Sequence, residues 1–434
     1  MRTIIIEGIR CFPSRQEISL APLTLLVGEN STGKTTFLAA TRIAWDLLHG
    51  KFRADFNEEP FNLGSYENIA SNTSSRNGGS KSFVIGAETD SSRYRVGQRN
   101  ALAIRLETAF RQEGSQPRVA RTEISSGDYR LVASLEKGSK KVEYQLTIAG
   151  KRTPPVAIAE PFLDFAFPDL SFASFLFGVP ALPRAWRERI PKSQFADFMR
   201  MLEKPWLAGE QRPYAMSPIR TKPWRTYDPR KEISRAEGGH VPMVLSRVLK
   251  GHGRERTRFA KALSAFGRAS GLFDEVRVRR LGTKKSDPFQ LEVRISGPAF
   301  NLVDVGYGVS QALPLVVDGL NRERGQLFLM QQPEVHLHPK AQAELGTFLA
   351  HLVKQDNKAF LVETHSDHLI DRVIMDVRDG KGLRHDQVVI LYFQRQGPEV
   401  RIHPIHLDKQ GNIVDAPEGY RSFFLDEERR FLGV

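Results

Sequence analysis

Apolar and polar positions follow two different spacings along this chain. Thr3 to Ile6 is a short β-branched run and predicts a strand; Leu23-Thr-Leu-Leu-Val27 predicts another and enters a glycine-rich turn. From Thr35 to Leu48 the apolar residues Phe37, Leu38, Ile43, Leu47 and Leu48 recur at helical spacing. Residues 49–80 are polar and close on Ser-Asn-Thr-Ser-Ser-Arg-Asn-Gly-Gly-Ser, which reads as loop. Between Lys81 and Gly150, alternating stretches such as Tyr129-Arg-Leu-Val-Ala-Ser-Leu are separated by turn signals, the pattern of an antiparallel sheet. Residues 155–180 are rich in phenylalanine (Phe162, Phe165, Phe167, Phe172, Phe175, Phe177), and buried packing is their expected use. Residues 181–275 read as mainly helical with Pro/Arg-rich connectors, and Val276 to Ile295 returns to strand pattern. After Asn301, strand-like runs (Leu327–Met330, Ala359–Val362, Val388–Phe393, Val400–Leu407) alternate with helical ones, which predicts a parallel α/β sheet.

Composition narrows the class. The chain has 434 residues, 40% hydrophobic and 26% charged, room for one large domain with insertions or for two to three domains. Its single cysteine, Cys11, rules out an intramolecular disulfide and any cysteine-cluster metal site. No apolar run approaches the roughly 18 to 20 residues of a membrane-spanning helix. The opening Met1-Arg-Thr-Ile-Ile-Ile-Glu is too short for a secretory signal, so a cytoplasmic location without membrane partners is expected. Lysine plus arginine number 63 against 50 acids. Residues 181–290 alone hold 25 basic and 11 acidic side chains, and the rest of the chain is close to neutral. The densest points are Arg254, Arg256, Arg258 and Lys261 at helical spacing, and Arg277, Arg279 and Arg280 at strand spacing. A solvated surface, a nucleic-acid (DNA or RNA) partner and an acidic protein partner all fit such a field. No zinc-finger or RNP-type signature accompanies it.

The segment Gly28-Glu29-Asn30-Ser31-Thr32-Gly33-Lys34-Thr35, followed by Thr36, fits G-x-x-x-x-G-K-[ST]. Glycines let successive amide hydrogens point at one phosphate, and the following helix presents its positive end to the same anion. Lys34 reaches the β- and γ-phosphates in such a loop, and Thr35 binds magnesium. The context agrees, with an apolar strand before and a helix after. Such a loop needs a partner from a neighbouring strand end to organise magnesium and water. The convincing candidate, Leu327-Phe-Leu-Met330 followed by Gln331-Gln332-Pro333-Glu334, lies about 300 residues downstream. A site split by so large an insertion argues against small GTPases and simple kinases.

Three further segments complete a pattern: Val305-Gly-Tyr-Gly-Val-Ser-Gln311, Pro333-Glu-Val-His-Leu-His-Pro339 and Glu363-Thr-His-Ser366. With the phosphate loop, and the opening strand, polar turn Gly8-Ile-Arg-Cys-Phe12 and strand, this order resembles the SMC-like branch of ABC ATPases. More closely, it is similar to the OLD/RecF-like "AAA family" ATPases of prokaryotes (AAA_21/AAA_15-like). The likeness covers roughly residues 1–50 and 300–407. It implies an α/β fold, an ABC/SMC-type ATPase head in which a mixed sheet with flanking helices and an antiparallel β subdomain carry a mainly helical insertion. The expected division is 1–150, 151–290 and 291–434. It also implies ATP and Mg2+ as cofactors, and a homodimer or higher homo-oligomer with ATP sandwiched between subunits. Gly308 and Ser310 of one copy would face the nucleotide of the other, with the helix after Ser310 aimed at it. His365 resembles the γ-phosphate-sensing switch histidine. His336 and His338 occupy an inter-subunit loop, where a structural or interface role is expected; His368 is expected on a helix face.

The sequence departs from that family at two positions. Related chains carry acids where Gln331 and Gln332 stand, the first for magnesium and the second to activate water. A neutral amide orients water but takes no proton from it at neutral pH. Glu334 and Glu363, near strand ends, are the candidates for the missing carboxylate, and ATP hydrolysis is expected to be slow. The metal-binding glutamine that ABC transporters place between residues 37 and 80 is absent, and the insertion disfavours a transporter. Residues after His365 contain no D-x-D, so nuclease chemistry is expected of another subunit. The resemblance points to an ATPase that regulates a partner effector, such as a nuclease or toxin, or engages nucleic acid in antiphage defence. A RecF-like DNA-maintenance ATPase and a nucleotide-dependent scaffold with negligible turnover are the alternatives.

Overall fold

The computed structural model of the chain describes residues 1–49, 54–71, 82–90, 103–136, 138, 141–159, 211–229, 233–284, 286–422 and 429–430. Nearly all of the phenylalanine-rich run and the helices expected over 181–210 lie outside these residues. In chain order the strands are β1 (Thr3–Glu7), β2 (Gln16–Ser19), β3 (Leu23–Gly28), β4 (Phe83–Asp90), β5 (Ala103–Glu113), β6 (Gln116–Ser126), β7 (Tyr129–Leu135), β8 (Lys141–Ile148), β9 (Lys151–Arg152), β10 (Val156–Ala159), β11 (Tyr214–Met216), β12 (Glu275–Arg280), β13 (Phe289–Arg294), β14 (Ala299–Asn301), β15 (Leu327–Gln331), β16 (Ala359–Glu363), β17 (Val388–Gln396), β18 (Glu399–Leu407) and β19 (Ile413–Val414). The described helices are α1 (Lys34–Leu48), α2 (Tyr66–Ile69), α3 (Val241–Leu249), α4 (Arg254–Ser270), α5 (Tyr307–Asn321), α6 (Pro339–Asp356) and α7 (Asp367–Arg378). Among the described residues no helix is long and apolar enough to cross a membrane.

Two units interleave along the chain. One comprises Met1–Leu20, Glu29–Arg212 and Phe393–Ile402; the other comprises Ala21–Gly28, Pro213–Tyr392 and His403–Val434. In the first unit, the described strands form a sheet in the order β10-β8-β7-β6-β5-β4-β1-β2, with β9 added to β8. The pairing is antiparallel throughout, as the alternation of residues 81–150 predicts. Helix α1 packs against β1, β4 and β5. Ile4, Ile5 and Ile6 are all buried rather than alternating, so both faces of β1 are covered. The loop after α1 is pinned by charge: the Arg212 guanidinium bonds both Asp46 oxygens (2.9 and 2.6 Å) and both Glu58 oxygens. The stretch read as loop over 49–80 also contains the single turn α2.

In the second unit, β11, β15, β16 and β3 run parallel in that order. The order of the whole described sheet is β11-β15-β16-β3-β17-β18-β19. Strands β15 and β16 are apolar over their first four residues, with both faces buried, and end on the polar Gln331 and Glu363. Strand β11 falls where the sequence reads as helical; its three residues gain their pairing from β15, more than a hundred positions away, and no local pattern encodes that. A three-stranded antiparallel sheet, β12-β13-β14, follows the expected strand pattern of 276–295. Helix α6 packs on α7 and α4. Asp318 of α5 is a buried hub: the Tyr214 hydroxyl lies 2.9 Å from Oδ2, and His240 Nε2 lies 2.9 Å from Oδ1. The Arg235 amide donates to His240 Nδ1, so the imidazole proton sits on Nε2 and points at the carboxylate.

Candidate nucleotide site

The loop Gly28–Thr36 connects β3 to α1, as the sequence predicts, with the helix beginning at Lys34, one residue earlier than its periodicity suggests. Gly33 adopts φ +85°, and a Cβ there would lie 2.6 Å from both Cys11 Sγ and the Phe12 ring. Only glycine suits the position on both counts. Ser31 is also left-handed (φ 60°). No side chain caps α1 and no acid sits in its first turn, so the helix end is suited to an anion. Glu29, Asn30, Ser31 and Thr35 are exposed, whereas Thr32, Lys34 and Thr36 are buried. Lys34 Nζ donates to Glu29 O at 2.6 Å, and Thr32 Oγ1 donates to the same carbonyl at 2.8 Å.

Two arginines that sequence reasoning missed hold this loop. Arg10 Nη1 donates to Thr36 Oγ1 (3.0 Å), Nη2 to Leu63 O (2.9 Å) and Nε to Asn68 O (3.1 Å). Arg395 Nη2 donates to Ser31 O at 2.7 Å. Arg10 lies in the polar turn after β1, and that turn was its one available signal. Arg395 is 364 positions from Ser31 and carried none.

In the second unit the strand ends line up. Gln331 of β15 is in register with Glu363 of β16, which is in register with Leu26 of β3, two residues before Gly28 opens the phosphate loop. The Gln332 amide donates to Glu363 O (2.7 Å), and Gln332 itself has a strained left-handed backbone (φ 41°). Glu334 is buried, and its Oε1 accepts the His365 amide hydrogen at 2.7 Å. Burial pushes the Glu334 carboxyl above the usual carboxylate range, against the pull of hydrogen bonds from the His365 amide, its own amide and the Thr364 side chain, and of the Arg220 charge. The His365 side chain is exposed. The structure thus brings Gln331, Gln332, Glu334, Glu363 and His365 together at adjoining strand ends.

The glycine-serine turn departs from expectation in one respect. Helix α5 begins at Tyr307, so Ser310 lies inside its first turn, with Oγ donating to Tyr307 O (2.8 Å), rather than ahead of the helix. The helix therefore starts four residues sooner than the motif suggests, directly after the extended Gly306. The helix start has no side-chain cap and no acid. Gly308 abuts the His-Leu-His-Pro segment, where a Cβ would lie 3.1 Å from His336 O. His336 meets the Tyr307 ring edge-on at 4.9 Å, and His338 Nδ1 accepts the Lys340 amide at 3.3 Å as the cap of α6. His368 is an exposed position of α7.

The basic residues fall on two elements. Arg254, Arg256, Arg258 and Lys261 are exposed on α4, Arg258 being paired with Asp356 (3.0 Å). On β12, Arg277 pairs with Glu275 (2.8 Å) and Arg279 with Glu292 (3.3 Å), while Arg280 follows at the strand end. Two of the three arginines in that strand pattern are therefore offset by neighbouring acids.

The chain is similar to several solved SMC heads. One is an SMC head bound to the C-winged-helix domain of ScpA (12% identity, 94% of this chain and 98% of that one, TM-score 0.44). A second, from Pyrococcus furiosus, has an extended coiled coil and is bound to the C-terminal domain of ScpA (11%, 99% and 99%, TM-score 0.44). A third is the SMC head domain from Thermotoga maritima (12%, 93% and 99%, TM-score 0.35). No curated protein matches the chain. The family model described as "AAA domain, putative AbiEii toxin, Type IV TA system" matches residues 23–371, which span the phosphate loop, the Ser310 turn, the paired glutamines and His365, and the chain belongs to that AAA_21 family.

Proposed function

We propose that this chain binds ATP with magnesium at Gly28–Thr36, hydrolyses it slowly with Glu334 as proton acceptor, and pairs with a second copy through the nucleotide. The observation that carries the reading is the row of parallel strand ends Gln331, Glu363 and Leu26, beside the first residue of a phosphate loop. Ligands of open α/β sheets bind at such carboxyl ends. The uncapped, acid-free start of α1 and the exposed Thr35 fit a triphosphate and its cation. Lys34 would exchange the Glu29 carbonyl for phosphate oxygens. Thr35 and Gln331 are the residues proposed to hold magnesium, with water completing its shell. Bound magnesium would offset the charge of the triphosphate. Gln332 would orient water, Glu334 would accept its proton, and Glu363 stands as the second carboxylate. Gly308 and Ser310 would face the ATP of the partner copy, and His365 would sense its occupancy. The assembly would act on a separate effector subunit, such as a nuclease or toxin, in antiphage defence.

Mass measurement with and without ATP and magnesium tests the reading. The expected result is nucleotide-dependent dimers, or larger assemblies, that both Lys34→Ala and Ser310→Arg abolish. Assembly that persists in Ser310→Arg would remove the shared-site idea. A second reading, direct action on nucleic acid as in DNA maintenance, draws support from the exposed Arg254, Arg256 and Lys261 of α4. It requires salt-dependent DNA binding that Arg254→Glu with Arg256→Glu removes. Arg277, Arg279 and Arg280 would add to it only weakly, given their acidic neighbours.

A further inference from the structure

Arg220 is 2% exposed, in the segment between β11 and α3. Its Nη2 makes one long hydrogen bond, 3.4 Å to Gln332 O, and neither Nε nor Nη1 has a partner among the described residues. A buried guanidinium with two idle donors is costly, so a charge kept there calls for a compensating role. Among the described residues, the one carboxylate acting on it is that of Glu334, which is itself buried and whose Oε2 makes no hydrogen bond there. Among the described residues no direct ion pair joins the two groups, and each charge acts on the other through space.

We propose that Arg220 is a positioning residue for this turn: it holds the Gln332 carbonyl and supplies the counter-charge that lets Glu334 serve as a carboxylate. Burial depresses the Arg220 pKa to about 10, still well above neutrality, so the counter-charge is present under ordinary conditions. The other titratable groups around this corner are Tyr307 at the start of α5, His336 against it, and Glu363 and His365 at the end of β16. Among them only Arg220 carries a fixed positive charge. The kinetic consequence rests on the reading of Glu334 as proton acceptor; the ionisation itself does not.

The test therefore reads ionisation directly, without turnover. Isotope-edited infrared titration of 13C-glutamate-labelled protein, with Glu334→Gln as the subtraction control, isolates the Glu334 carboxyl band. Wild type is expected to be ionised at neutral pH. Arg220→Gln should move the midpoint upward by about one to three pH units, and Arg220→Lys should restore most of it. A midpoint unchanged in folded Arg220→Gln overturns the proposal. So does a protonated Glu334 in wild type at neutral pH, which decides the matter even if the variant does not fold. Should the midpoint shift as expected while Glu334→Gln leaves ATP turnover intact, the role of Arg220 stands and the proton-acceptor reading fails.

Discussion

Replacing Glu334 separates two roles that one side chain combines. Its Oε1 accepts the His365 amide hydrogen at 2.7 Å, and its charge is the candidate proton acceptor. Glu334→Gln keeps an oxygen for that amide and removes the charge. Relief of the carboxylate's burial offsets the weaker hydrogen bond, but the buried Arg220 loses its counter-charge, so Glu334→Gln should cost about 1–3 kcal/mol. Glu334→Ala removes the acceptor as well, and should cost about 1–3 kcal/mol more in denaturant unfolding. Turnover, measured by phosphate release at saturating ATP, should fall at least about a hundredfold in both. The pH dependence has a definite sign. Burial raises the Glu334 carboxyl above its unfolded value of about 4.3. Between the unfolded and folded values the native state holds the extra proton, so wild type loses stability relative to Glu334→Gln as the pH rises through that window. The acid limb of turnover should likewise lie above the ordinary carboxylate range. Turnover unaffected by Glu334→Gln, or an alanine variant as stable as the glutamine one, would refute the reasoning.

Three further outcomes follow from the geometry. Gly33→Ala should destabilise the protein and abolish nucleotide binding in a fluorescent-nucleotide titration, because a Cβ at φ +85° would lie 2.6 Å from Cys11 Sγ and the Phe12 ring. Lys34→Ala should weaken nucleotide binding with little change in the thermal midpoint of the nucleotide-free protein; equal affinity in calorimetry would contradict the loop assignment. Asp318→Ala should cost about 2–5 kcal/mol in chemical denaturation, since the buried Nε2–H of His240 loses its acceptor and Tyr214 loses a partner.

Much of this protein is written locally. The phosphate loop announces itself because its chemistry needs glycines, a lysine and a hydroxyl at fixed offsets, and the strand before it and helix after it follow from periodicity. Strands β15 and β16 are visible as short apolar runs, and the alternating residues of β7 and β8 as an antiparallel sheet, because each signal lies within one element. Helix α5 starts at Tyr307, four residues before the position its glycine-serine motif suggests, because such a motif marks a turn without saying where helical geometry begins.

By itself the sequence established the loop, the alternating strands of residues 81–150, the apolar runs of β15 and β16 with the helices that follow them, and glutamines at positions 331 and 332; that β18 pairs β19 antiparallel, beyond the parallel strands β11, β15, β16 and β3, it did not show. Tertiary structure alone decided that Arg220 sits buried beside the Gln332 turn, that Arg395 grips Ser31, and that Glu334 holds the His365 amide. Those contacts join residues 31 to 364 positions apart. Their formation depends on how the whole chain excludes water around each charge, and no local window of sequence carries that information.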